Sequence, residues 1–192
     1  MAYFFFDFKD VGKQDARAFL SSVLVQLSSQ STSFCNILLE FYSAHQRGSK
    51  QPSDAALIQC LEKMLKVPTK VPIYVIVDAL DECPDTSGVQ SPREKVLALV
   101  EELVGLRLPN LRLWITSRLN VDIKNVLEPL TSTSNRISLH DEDGQRKDIA
   151  DYVRSVVYSD KKLISWRKKN KELVVKTLSD RADGMYERHS RA

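Results

Sequence analysis

Val71-Pro-Ile-Tyr-Val-Ile-Val-Asp-Ala-Leu-Asp-Glu82 is an apolar run, opened by a proline, that ends in three carboxylates. Uninterrupted β-branched and aromatic residues between turn residues predict a strand buried on both faces, as in a parallel sheet covered by helices. Open α/β sheets hold their ligands in the crevice beyond the C-terminal strand ends, and the carboxylates fall at that end. Asp78 is therefore the first candidate site residue.

On the N-terminal side, Ala2 to Phe8 reads as a short aromatic strand. Ala16, Phe19, Leu20, Val23, Leu24 and Leu27 recur at three and four, which predicts an amphipathic helix within 13–30. Phe34, Ile37, Leu38, Phe41 and Tyr42 repeat the pattern. After a polar loop, Ser53 is placed to N-cap a helix that turns Leu57, Cys60, Leu61, Met64 and Leu65 inward and ends before Pro68.

On the C-terminal side, Cys83 to Ser91 reads as a surface loop beside the carboxylates. Ser91-Pro-Arg-Glu94 is a capping box with proline at the first helical position, and Gly105 is the expected stop of that helix. Leu111 to Ile115 predicts a strand ending in Thr116-Ser117-Arg118, Val121 to Leu130 a short helix, and Arg136 to Leu139 a last strand. Alternating strands and helices predict an α/β fold with a doubly wound parallel sheet over 1–140. From 141 to 192 the pattern is helical only, with Ile149, Tyr152, Val153, Val156 and Val157 as one stripe and Leu173, Val174 and Leu178 as part of another. The basic run from Lys161 to Lys171 is flanked by Asp160 and Glu172 and reads as a solvated helix face, not a nucleic-acid or membrane patch.

Composition narrows the classes further. A chain of 192 residues, 43% hydrophobic, can bury one sizeable core, and a net charge of +3 is too small to argue for nucleic acid. Cys35, Cys60 and Cys83 form no metal-ligand or disulfide pattern. No stretch approaches the ~18 apolar residues of a membrane span, so a soluble, cytoplasmic protein is expected.

A small residue and an apolar one separate Asp78 from Asp81-Glu82, an arrangement that suits a magnesium-nucleotide site. Mg²⁺ keeps most of its waters and needs one or two carboxylates plus phosphate oxygens, while a second acid can orient the attacking water. As a pattern alone it also describes an ordinary acidic surface turn.

Val75-Ile-Val-Asp-Ala-Leu-Asp-Glu82 together with Leu113-Trp-Ile-Thr-Ser-Arg118 resembles the NACHT family of P-loop NTPases, in particular the fungal proteins of the nephrocystin-type N-terminal domain. Ala2-Tyr-Phe-Phe-Phe-Asp-Phe8, Ser91-Pro-Arg-Glu-Lys95, Asp148-Ile-Ala-Asp-Tyr-Val153 and Asp183-Gly-Met185 look like further family segments in family order. The tiny Ala79 directly after the magnesium aspartate is a mark of that family. The resemblance implies Mg²⁺ and ATP or GTP as ligands. It implies Asp78 as the metal ligand, Asp81 and Glu82 as catalytic acids, and Arg118 as the arginine that reads the γ-phosphate. Thr116 and Ser117 would line the nucleotide side, serving more to satisfy backbone groups or position Arg118.

The chain departs from the family in two respects. After Gly184-Met185 the polar Tyr186-Glu-Arg-His-Ser-Arg-Ala192 stands where the family continues into an apolar helix, so 141–192 is expected to be the truncated start of a helical domain. The phosphate loop is also missing. A strand and a G-x-x-x-x-G-K-[ST] loop precede the aromatic strand in the family, and here no such loop occurs; Gly12-Lys13 is followed by Gln14. The expectation is a truncated fragment holding the metal and sensor half of the site, binding nucleotide weakly and inactive alone. In the family the absent strand lies against the Thr-Ser-Arg strand, so marginal stability or aggregation is also expected. A second reading is a non-catalytic module that docks through helical faces on full-length NACHT proteins or on itself. A third is a gene fragment without function.

Overall fold

Three strands, β1 (Ala2–Phe5), β2 (Ile73–Asp78) and β3 (Leu111–Ile115), pair in parallel in the order β1-β2-β3. The register aligns Ala2 with Val75 and Leu113, and Tyr3 with Ile76 and Trp114. The structure, a computed structural model, describes residues 1–86, 90–118, 120–138 and 143–181. The chain divides into two compact units, Met1–Ser132 and Thr133–Ala192.

In the first unit, β1 leads to α1 (Ala16–Ser28), α2 (Thr32–Ala44) and α3 (Asp54–Leu65) before β2, and α4 (Pro92–Gly105) joins β2 to β3. Helix α5 (Val121–Leu130) follows β3. Asp15 and Ser53 cap α1 and α3 through side-chain bonds to backbone N–H groups, and Ser91 with Glu94 forms the reciprocal capping box of α4. The helices share one core with alternate strand residues: Phe19, Leu20, Leu61, Met64, Val96, Leu99 and Ile123 pack with Phe4, Val75 and Val77. Phe4 meets Phe6 and Phe19 edge to face at 5.0 and 5.8 Å.

The other face of the sheet is open, contrary to the expectation of burial on both sides. Tyr3, Phe5, Tyr74 and Trp114 are exposed there, Trp114 to 58%, and Ile76 is half-buried. Burial needs a second layer, and both crossovers within the sheet step in the same direction, which puts their helices on the same face. An apolar run thus marks a strand without fixing how many layers cover it.

The two sheet edges differ. At β1, the Gln26 amide accepts from Tyr3 N at 3.0 Å and donates to Tyr3 O at 2.7 Å, and Gln30 donates to Met1 O. These side chains stand in for a neighbouring strand. At β3, Ile73 N donates to Asn110 O and Thr116 N to Val77 O, so ladder alternation turns the N–H and C=O groups of Leu113 and Ile115 outward. Among the described residues no strand pairs with that edge.

Three local expectations change. Gly105 lies inside the last turn of α4; the helix is capped by Leu106, and Arg107 adopts the left-handed conformation at φ 49°. Residues 136–138 form no strand: they pair with none of the three strands, and Ile137 is exposed; Leu139 lies outside the described residues. Tyr42 at the end of α2 is exposed.

The second unit pairs α6 (Asp143–Ser159) with α7 (Lys168–Arg181). Ile149, Val157 and Val175 are buried, whereas Tyr152, Val156 and Leu173 face outward. Lys171, from the basic run, is buried, with Nζ 5.1 Å from the centre of the Tyr158 ring. Tyr158 Oη donates to Glu172 at 2.8 Å, which holds the Glu172 carboxyl below its ordinary range. Part of the basic run therefore packs the helix pair. No helix among the described residues is long and apolar enough to cross a membrane.

Candidate functional site

The C-terminal ends of β2 and β3 bring Asp78, Asp81, Glu82, Thr116, Ser117 and Arg118 to one end of the sheet. Strand β2 ends at Asp78. Ala79 then takes a left-handed conformation (φ 53°, ψ 46°), and Leu80–Glu82 forms a single 3-10 turn. The left-handed residue reverses the chain in one step, and a bulky or β-branched side chain would be strained there. The tiny residue of the sequence motif thus has a conformational cause.

Thr116 ties the two strand ends together. Its hydroxyl donates to Asp78 Oδ1 and accepts from Ala79 N at 3.0 Å, while its carbonyl accepts from Leu80 N at 3.0 Å. Asp78 is exposed, so its carboxylate is reachable from solvent. Ser117 Oγ donates to Arg118 O at 2.8 Å and so shapes the loop.

Asp81 and Arg118 form the second link. Asp81 Oδ1 accepts from Arg118 N at 3.0 Å, and Oδ2 lies 3.2 Å from Arg118 Nε. The Asp81 side chain is only 9% exposed, whereas that of Arg118 is 62% exposed. One edge of the guanidinium is held and the rest projects into water, a geometry that leaves donors for an anion. Glu82 points elsewhere, with Oε2 accepting from Phe8 N at 3.4 Å.

The metal-ligating capacity of the site is limited. Among the described residues no three His, Cys, Asp or Glu side chains converge into a cage. A lone exposed carboxylate suits a magnesium ion that keeps its waters and borrows phosphate oxygens, and does not suit an all-protein calcium or zinc site. At Gly12-Lys13 the backbone forms a 3-10 turn in which Asp10 accepts from Gly12 N at 3.0 Å and pairs with Lys13 at 3.2 Å. A carboxylate occupies the position that an anion cradle would need.

Arg93 contributes to the site although the motifs of the sequence do not single it out. Its side chain is 10% exposed; Nε donates to Cys83 O at 2.9 Å, Nη2 to Asp81 O at 2.8 Å and Nη1 to Asp122 Oδ2 at 3.1 Å. Burying a guanidinium costs several kcal/mol, on the order that such a set of charge-assisted bonds offsets. Asp122 loses some solvent, which raises its carboxyl, but the Arg93 bond and backbone bonds outweigh this and leave it lowered. A signal was present: Arg93 stands in the first turn of a helix, where the dipole favours acids, so a cation there needs compensation.

These strand ends define an α/β protein with a parallel sheet whose polar residues gather at the C-terminal edge. More particularly, the chain belongs to the nephrocystin 3, N-terminal family, whose family model matches residues 1–118 and so ends at Arg118. No curated protein and no solved structure matches the chain.

Proposed function

We propose that this chain carries the metal and sensor half of a NACHT-type nucleotide site within a larger signalling protein. The observation that carries the reading is that the end of β2 and the loop after β3 are bonded twice, Thr116 to Asp78 and Arg118 to Asp81, which brings Asp78 and Arg118 to one end of the sheet. In this reading Asp78 holds hydrated Mg²⁺ and the free edge of Arg118 meets the terminal phosphate of ATP or GTP. Both oxygens of Asp81 are engaged by Arg118, so in this reading Asp81 positions that arginine, and Asp81 and Glu82 remain the acids nearest the terminal phosphate.

The open sheet surfaces support the same reading. A phosphate loop needs a strand before it and a helix after it. A strand added beside β3 that crossed back towards β1 would step opposite to both existing crossovers, and equal handedness would lay its helix on the open face. That face is the aromatic one of Tyr3, Phe5, Tyr74 and Trp114. Without the loop the half-site binds nucleotide weakly.

The test is calorimetry on a fusion in which the strand, phosphate loop and helix of a longer family member precede Met1. Magnesium-dependent ATP binding should appear, and Asp78→Asn and Arg118→Ala should each weaken it by about tenfold or more. Binding indifferent to Asp78→Asn would sink the reading.

The same exposed aromatic face and unpaired β3 edge favour a second reading, a module that docks on a full-length relative and modulates its assembly. Capture of that relative by the chain, lost in Trp114→Lys, is the outcome that separates the two.

A further inference from the structure

We infer that Arg93 is a positioning residue that sets where Arg118 stands, acting through Asp81. Asp81 is gripped twice: Arg93 holds its carbonyl and Arg118 engages its carboxylate. The two prongs of Arg93 fall on the carbonyls of Asp81 and Cys83, which straddle Glu82, so the fork fixes the peptide planes of the acidic turn. With the backbone fixed and its side chain nine-tenths buried, the Asp81 carboxylate has one place to be. Arg118, mostly exposed, has no other charged partner within ion-pair reach among the described residues.

The clamp also closes on itself. Arg118 lies two residues before the cap of α5, and Asp122 lies in the first turn of that helix. Asp122 binds Arg93, Arg93 binds the Asp81 carbonyl, and the Asp81 carboxylate binds both the backbone and the side chain of Arg118. Arg118 and Asp122 are therefore both tied to one arginine-held turn. Asp85, 3.7 Å from Arg93 Nη1 and more than half exposed, adds little. A lysine cannot reproduce this arrangement, because an ammonium lacks the planar fork that reaches two carbonyls and a carboxylate together. Any displacement of α5 is thereby felt at Arg118, and this couples the candidate site to the helix that leaves the sheet.

The functional weight of the inference rests on the nucleotide reading, but its structural content does not, and the experiment keeps them apart. Arginine Nε–H resonances of the full chain are recorded by ¹⁵N NMR, with Arg118→Lys to assign the Arg118 signal. With Nε 3.2 Å from the Asp81 carboxylate, that signal should stand apart from an exposed arginine's. In Arg93→Lys, and to a smaller extent in Asp122→Ala, the signal should move towards the free-arginine position and the Arg118 backbone N–H, bonded to Asp81 Oδ1, should exchange about tenfold faster, while the amide signals of β1 and α1 stay in place. Asp122→Ala alters only the exposed end of the clamp, so it serves if Arg93→Lys does not fold. An unchanged Arg118 signal in either folded variant overturns the inference. If the signal moves as expected but the phosphate-loop fusion binds no ATP, the nucleotide reading fails and the positioning role stands.

Discussion

Replacing Ala79 tests the turn on which the site is built. Its left-handed backbone (φ 53°, ψ 46°) crowds Cβ against the following carbonyl oxygen, at about 1–2 kcal/mol. Glycine removes that cost but frees the unfolded chain by about 0.4–1 kcal/mol, leaving Ala79→Gly about 0.5 kcal/mol more stable. Valine adds a β-branch in the same conformation, and Ala79→Val should lose about 1–3 kcal/mol. For a chain of this size about 2–4 °C accompanies each kcal/mol, so Ala79→Gly should rise by about 1–2 °C and Ala79→Val fall by about 2–12 °C. The transition is followed by Trp114 fluorescence in a Trp166→Phe background, which confines the signal to the first unit. Ala79 N also donates to the hydroxyl that holds Asp78, so strain at this residue moves the candidate ligand. An Ala79→Val protein as stable as the parent would refute the account of the turn.

Three other outcomes follow from the geometry. Gly105 has helical geometry, and a methyl group at its Cα would meet only open space, so Gly105→Ala should stabilise the first unit by about 0.8–1 kcal/mol, read from urea unfolding. Burial pushes the Cys83 thiol up to about 12, against a smaller lowering by Arg93. At pH 8 a thiol reagent should therefore modify Cys35 and spare Cys83 until unfolding. Because the folded value lies above the unfolded one, Cys83 supports the fold below about pH 9 and that support is lost as pH rises from there towards 12. Trp114→Lys puts a charge on the open face beside the unpaired β3 edge, and light scattering during heating should show less aggregation than the parent; equal aggregation would mean that another surface is responsible.

Much of the fold is legible in the sequence because its signals are local. Ser53 and Ser91 mark helix starts through bonds that span three residues, and the periodicities of α1 and α3 are properties of single segments. The stop of α4 departs from its signal, since a glycine near a helix end is a usual but not obligatory left-handed cap, and here Arg107 takes that conformation. Arg136 to Leu139 has strand-like residues, yet a strand exists only with a ladder partner. Gln26 and Gln30 read as two polar residues on an amphipathic helix, and their role at the β1 edge depends on that helix lying alongside it.

The Val71 to Glu82 run by itself determined a strand with acids at its end, because β-branched residues and a proline act on their own backbone. Its order of residues also set a small side chain at Ala79, where the backbone turns left-handed. Tertiary structure alone decided that one sheet face stays open, that Thr116 reaches Asp78 from another strand, and that Asp81 serves Arg118. The open face follows from the direction of the two crossovers, and the other two outcomes depend on bonds between residues 37 or 38 positions apart; no local pattern encodes which of several acids a distant arginine will meet.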